Sequence, residues 1–253
     1  MARDRLMDAI RRSVRETADY TGLVELSDRV MDAMAATPRD RFVDTSQRRR
    51  AWDNTALPIS DGQTISQPLI VALMTELLEP EPGDVILEVG TGSGYQAAVL
   101  SPLVKHIYTI EIIDNLANTA RARLDEMGYD NVTVRAGDGY AGWPEHAPFD
   151  GIVVTAAAEE IPPPLLQQLK PGGKLVIPVG EHGGYQELLV VETNDQGEVS
   201  KRSALPDLVA QRYDRQRARA SRLFLGPDAA ADARRPDART QGRVKGQPPP
   251  CPH

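Results

Sequence analysis

The stretch V-I-L-E-V-G-T-G-S-G-Y, Val85 to Tyr95, decides the fold: five residues of strand character run directly into a loop with glycine at 90, 92 and 94. A strand that empties into a glycine-rich turn and then a helix opens a parallel α/β sheet, whose ligands gather at the carboxyl ends of the strands. Glycines let the backbone turn tightly and approach a ligand, and the helix beyond offers N–H groups to an anion. A dinucleotide fingerprint of the form G-x-G-x-x-G needs its third glycine where this chain has Tyr95. The loop therefore departs from the NAD pattern.

Downstream the pattern alternates. HIYTIE (106–111), VTVRAG (132–137), FDGIVVTAA (149–157) and KLVIPVG (174–180) read as strands, separated by helical stretches from Tyr95, over Leu116 to Met127 and over Pro162 to Leu169, with Gly172 and Gly173 marking a turn before the fifth strand. Alternating strands and helices imply parallel pairing with right-handed crossovers. ELLVVET (187–193) and EVSKRSAL (198–205) flank Asn194 to Gly197 and form an antiparallel hairpin at the end of the sheet. The fold class is thus α/β, a doubly wound, mostly parallel sheet.

Two more acidic positions fall at strand ends. Glu111 lies about twenty residues beyond the glycine loop, where a carboxylate can accept from ribose hydroxyls, although a solvated strand end is an equally ordinary role. Asp138 and Gly139 follow the third strand, where Asp can accept from an adenine amino group and Gly lets the ring approach; alone they also read as a plain Asp-Gly turn.

Upstream, Leu6, Ile10 and Val14 recur every four residues, and Ser27 stands as an N-cap before Val30, Met31 and Met34, so two amphipathic helices precede the core, the second ended by Pro38. A polar, arginine-rich run, with Arg48 to Arg50 as a solvated face, leads to LPISDGQTISQP (57–68), an irregular loop opening into a helix through Leu78. Beyond Tyr213 only Leu223 to Leu225 cluster as apolar residues, so a disordered tail is expected.

The chain has 253 residues, 41% hydrophobic, with a net charge of -7 and a pI near 5.2, which argues against a broad phosphate-binding surface and so against a nucleic-acid partner. A single cysteine, Cys251, excludes an internal disulfide, and four scattered histidines, His106, His146, His182 and His253, lack zinc-ligand spacing. No segment has the length of a membrane span or the apolar run of a signal peptide, so a soluble, cytoplasmic protein without metal is expected. Trp52 and Trp143 read as packing residues.

The glycine loop with its preceding acid, E-x-G-x-G-x-G from Glu88, resembles the first motif of S-adenosylmethionine-dependent methyltransferases. Together with VMDAMAATPRDRFV (30–43), ALPISDGQTISQP (56–68), YTIE (108–111), GYDNV (128–132), GDGYAGWPEHAPFD (137–150), VTAA (154–157) and QLKPGGKLVIPVG (168–180), the chain resembles the protein-L-isoaspartate O-methyltransferase family over roughly residues 28 to 206. GQTIS (62–66) is the most specific of these motifs. The resemblance implies a Rossmann-like methyltransferase fold and methyl transfer from S-adenosylmethionine to the α-carboxylate of L-isoaspartyl residues in damaged proteins, whose ester then closes to a succinimide. It implies Ser66 as the active-site serine, and Thr64, Ser66, Glu88, Gly90, Gly92, Gly94, Glu111, Asp138 and Gly139 as cofactor-binding residues. On the residues alone, Ser66 reads first as a helix N-cap before Pro68.

The domain reading is amino-terminal helices over 1–45, a methyltransferase domain over 46–212 and a tail over 213–253, acting as a monomer on damaged proteins. Two departures from the family stand out. Ser60 replaces its usual glycine, which strains the loop if that backbone needs positive φ. After Pro206 the family continues with a strand resembling Val-Arg-Phe-Val-Pro-Leu, whereas this chain reads DLVAQRYDRQRARASR. The alternative reading is accordingly a cofactor-binding protein of the same fold with altered substrate or lost turnover.

Overall fold

The computed structural model describes residues 2–180, 185–194 and 196–206; the readings for Cys251, His182, His253, the segment after Pro206 and the tail lie outside them. The amino-terminal part is helical. α1 (Ala2–Glu16) buries Leu6, Met7, Ile10 and Val14, the face that its four-residue spacing sets. A short α2 (Ala18–Thr21), not expected, ends at Gly22, and α3 (Asp28–Ala36) starts at Ser27, whose hydroxyl accepts from Val30 N at 3.3 Å. Ser27 is anchored in turn, its N and Oγ both donating to Glu76 Oε2 at 2.9 Å.

Two short strands, β1 (Leu57–Pro58) and β2 (Thr64–Ile65), pair antiparallel across the 60–62 turn. They lead into α4 (Pro68–Leu78), which is buried everywhere except at Glu76. A helix apolar on all sides must be covered on all sides; α4 packs on α1 and α3 above and on the sheet below.

The sheet strands are β3 (Val85–Val89), β4 (His106–Glu111), β5 (Val132–Ala136), β6 (Phe149–Val154), β7 (Leu169–Gly180), β8 (Gln186–Thr193) and β9 (Val199–Leu205). Their order is β5-β4-β3-β6-β7-β8-β9, parallel through β7 and antiparallel from there. α5 (Tyr95–Leu100), α6 (Asp114–Glu126) and α7 (Pro163–Gln167) connect the parallel strands. Alternate residues of β3 enter two separate hydrophobic clusters, Ile86 with the side of α1, α4 and α5, and Leu87 and Val89 with the side of α7 and Trp143. The sheet is therefore covered on both faces, as a mostly parallel sheet requires. The chain winds from β3 outward to β5, then returns to the other side of β3 as β6, which places the switch point, and so the ligand crevice, at the carboxyl ends of β3 and β6.

The glycine pair ahead of the fifth strand also differs from expectation. Gly172 and Gly173 do not form a turn ahead of β7 but lie inside it: the pairing passes from Phe149↔Leu169 to Gly151↔Lys174, so the glycines are the slack of an irregularity in the ladder. Among the described residues no helix is long and apolar enough to cross a membrane.

Candidate active site

The glycine loop is fastened to the sheet by backbone bonds. Gly90 N and Thr91 N both donate to Ile110 O of β4, at 2.8 and 3.2 Å, and Gly94 N closes the turn on Thr91 O at 2.8 Å before capping α5. Gly90 has φ 99°, and a β-carbon there would come within 2.5 Å of Thr155 Oγ1 just beyond β6, so any other residue would strain the backbone and displace Thr155. Glu111, only 2% exposed, completes the fastening: Oε2 accepts from Gly92 N at 2.7 Å and Oε1 from Ile113 N at 3.0 Å.

Facing this loop is the β2 segment. Gln63, Thr64, Ile65 and Ser66 line one side of a cavity whose other side is Gly90 to Ser93, with Tyr95, Gln96, Glu111 and Thr155 closing it. Of the residues singled out in the sequence, the structure thus gathers Thr64, Ser66, Gly90, Gly92 and Glu111 around one space. Glu88, Gly94, Asp138 and Gly139 are not in its wall. Gly94 packs on Leu124 of α6. Gly139 lies so close to Val89 that a β-carbon would overlap that side chain, which lets the β5 loop pack against the end of β3, and Asp138 accepts from Tyr140 N at 2.9 Å within that loop.

Glu88 lies beneath the cavity, fully buried. Thr109 Oγ1 donates to its Oε2 at 2.5 Å and is itself 2.6 Å from Thr91 Oγ1, a chain of hydroxyls that ends in the cavity wall. The Ala97 backbone N–H of α5 also acts on this carboxyl and favours its charged form. Burial pushes this carboxyl up to about 8, with the Glu111 charge acting in the same direction and the Thr109 bond opposing.

The β2 wall is held differently, by side chains. Its turn takes positive φ at Asp61 (57°) and Gly62, not at Ser60, so the condition under which Ser60 would be strained is not met; Asp is among the residues that tolerate this region. Asp61 Oδ2 accepts from Asn115 Nδ2 at 2.7 Å at the start of α6. Ser66 is not the cap of α4. Gln67 occupies that position, with Pro68 opening the helix. Asn54 ties the base of the segment, its carbonyl accepting from Gln67 Nε2 and its Oδ1 from Leu69 N, both at 3.0 Å. From below, Arg39 donates to Ser66 O at 2.9 Å.

Sequence reasoning passed over Thr91, Tyr95, Gln96, Thr109 and Thr155, which carry no motif weight alone, and Arg39, hidden among other arginines. Trp143 is buried on the second face and Trp52 half-buried, both packing as expected. Among the described residues no group of three or more His, Cys, Asp and Glu side chains could hold a metal ion.

Known proteins match along nearly all of this architecture. The family model described as protein-L-isoaspartate(D-aspartate) O-methyltransferase matches residues 14–207. A relative from Polaromonas sp. named protein-L-isoaspartate O-methyltransferase 2 is 58% identical over 201 residues, 79% of this chain and 95% of its own length. A second of that name, from Syntrophobacter fumaroxidans, is 55% identical over 81% of this chain and 83% of its own. A solved protein-L-isoaspartate O-methyltransferase superposes with a TM-score of 0.70 at 27% identity, over 81% of this chain and 63% of that one. A Plasmodium falciparum structure of the same description, in complex with S-adenosyl-L-homocysteine, gives 0.64 at 25% identity, over 81% of this chain and 94% of that one.

Proposed function

The chain belongs to the protein-L-isoaspartate(D-aspartate) O-methyltransferase family, and we infer from its cavity that it transfers a methyl group from S-adenosylmethionine to the α-carboxylate of L-isoaspartyl residues in damaged proteins, opening repair through a succinimide. The observation that carries this reading is the meeting of Thr64–Ser66 with Gly90, Gly92 and Glu111 around one cavity. The chemistry of the lining suits a ligand rich in O–H and N–H donors: the Glu111 carboxylate is part of the wall, and Gln96 has a buried Oε1 without a partner among the described residues.

S-adenosylmethionine, when bound, supplies a methyl group already activated on a sulfonium. Glu111 would accept from the ribose hydroxyls and the glycine loop would lie along the methionine part, while Asp138, outside the cavity wall and bonded to Tyr140 N, would reach the adenine amino group only where the ligand extends past the wall toward the β5 loop. Glu88 acts from beneath, ordering Thr91 through Thr109. The substrate carboxylate is ionised at neutral pH, with an ordinary pKa of about 4, so no strong base is required. What the chain contributes is alignment and exclusion of water. Ser66 donates one hydrogen bond to the incoming carboxylate and holds it in line; it forms no covalent intermediate.

The methyltransferase unit in this reading is 46–212 with the helices of 1–45 packed on it, working as a cytoplasmic monomer on exposed, flexible segments. The test is methyl incorporation into two peptides identical except for one isoaspartyl or aspartyl linkage. Label should enter the isoaspartyl peptide alone. Equal labelling of both, or of neither while a small carboxylic acid is methylated, would contradict the reading.

A further inference from the structure

Arg39 is fully buried, on the short helical turn Arg39–Arg41 that follows α3. Burying a guanidinium costs several kcal/mol unless the surroundings repay it. Here its Nη1 donates to Ala51 O at 2.6 Å and its Nη2 to Thr55 O at 3.0 Å and Ser66 O at 2.9 Å. These carbonyls lie on the two strands of chain that enter and leave the 57–65 segment, so one planar fork gathers both ends of the wall that carries Ser66. On its other side the guanidinium carbon stands 5.6 Å from the ring centroid of Tyr95, a cavity-lining residue at the start of α5. Arg39 therefore lies where the β2 wall meets the helix that follows the glycine loop. The glycine loop itself hangs on Ile110 O and Glu111 instead.

We propose that Arg39 is a positioning residue for methyl transfer: by fixing the backbone at Ser66 against Tyr95, it sets where the substrate-orienting wall stands relative to the cofactor loop. This rests on the reading of Ser66 as the group that orients the carboxylate. Misplacement of a reacting group by about 1 Å can cost roughly 100-fold in rate, whereas cofactor binding, served by the other wall, is spared.

The test is Arg39→Lys in the full chain. An ammonium keeps the charge but lacks the fork that reaches three carbonyls at once. Calorimetric affinity for S-adenosylhomocysteine should stay within about threefold while kcat on an isoaspartyl peptide falls roughly 30-fold. Adding Ser66→Ala to the Arg39→Lys variant should then cost less than about threefold, since a mispositioned hydroxyl has little left to lose. Proportional loss of affinity and kcat, or an undiminished Ser66→Ala effect, would overturn the proposal.

Should Arg39→Lys fail to fold, Asn54→Ala removes, from a half-buried site, the Oδ1 that accepts from Leu69 N and so ties the chain entering the segment to the helix leaving it, while the backbone bond from Gln67 Nε2 remains. It should lower kcat with cofactor affinity intact, and an unchanged kcat would equally overturn the proposal. Full activity of Ser66→Ala in the wild-type background would reject the reading of Ser66 and with it the proposal, whereas proportional loss of affinity and kcat in Arg39→Lys overturns the proposal alone.

Discussion

The two walls of the cavity are built by different means. The glycine-loop wall, which the proposed function makes the cofactor wall, is an outgrowth of the sheet: Gly90 and Thr91 hydrogen-bond to β4, Gly90 lies against Thr155 just beyond β6, and Glu111 clips the loop from the end of its own strand. The β2 wall has only a two-residue ladder of its own and is held by long side chains from elsewhere, Arg39 below, Asn54 at the base and Asp61 to Asn115 at the tip. A wall hung on parallel strands is as rigid as the core beneath it, while one hung on side chains can be adjusted without disturbing the sheet. This division suits an enzyme that binds one cofactor and many different protein segments.

Breaking the cofactor wall at its tightest point should have the largest effect. In Gly90→Ala the backbone at φ 99° is strained and the new methyl meets Thr155 Oγ1. With about 1–3 kcal/mol of backbone strain before Thr155 moves, cofactor affinity measured by calorimetry should fall on the order of 100-fold. Glu111→Ala should cost less, on the order of 10- to 100-fold in cofactor affinity, as charge-assisted bonds of about 1–3 kcal/mol are lost. An unchanged dissociation constant in a folded Glu111→Ala protein would confine Glu111 to fastening the backbone of the glycine loop.

The layer beneath that wall is tested through the pH dependence of stability. Burial raises the Glu88 carboxyl to about 8 from an ordinary 4.5, so the folded protein keeps a proton that the unfolded chain gives up between those values. Its contribution to stability is present in full below pH 4.5 and is lost as pH rises through 8. Melting curves of Glu88→Gln against wild type should accordingly diverge in favour of the variant from pH 5 to about 8, and differ by a constant amount at lower pH. Parallel curves across the whole range would show that Glu88 is ionised in the fold.

The cofactor wall was also the legible one. Strand, glycine loop and the acid one strand later are local patterns, and the alternation around them dictates parallel pairing before any contact is known. The β2 wall has no such period. Only the resemblance carried by GQTIS pointed to Ser66, and local rules misplaced it as a helix cap because they could not tell whether Ser66 or Gln67 would precede the first turn at Pro68. Arg39 was invisible for a related reason: in a run that also holds Arg41, Arg48, Arg49 and Arg50, nothing local marks the one guanidinium whose partners are carbonyls 12 to 27 residues away. Gly172 and Gly173 were misread because a strand irregularity and a turn ask for the same residue, and the pairing with β6 decides between them.

The separation of the two walls is tested most directly by Ser66→Ala, measured for cofactor dissociation constant and for single-turnover methyl transfer to an isoaspartyl peptide. Loss of one hydrogen bond to a charged group is worth about 1.5–3 kcal/mol, so transfer should slow by roughly 10- to 100-fold while the dissociation constant stays within about twofold. A full transfer rate, or a dissociation constant weakened in step with the rate, would contradict the division of labour between the walls.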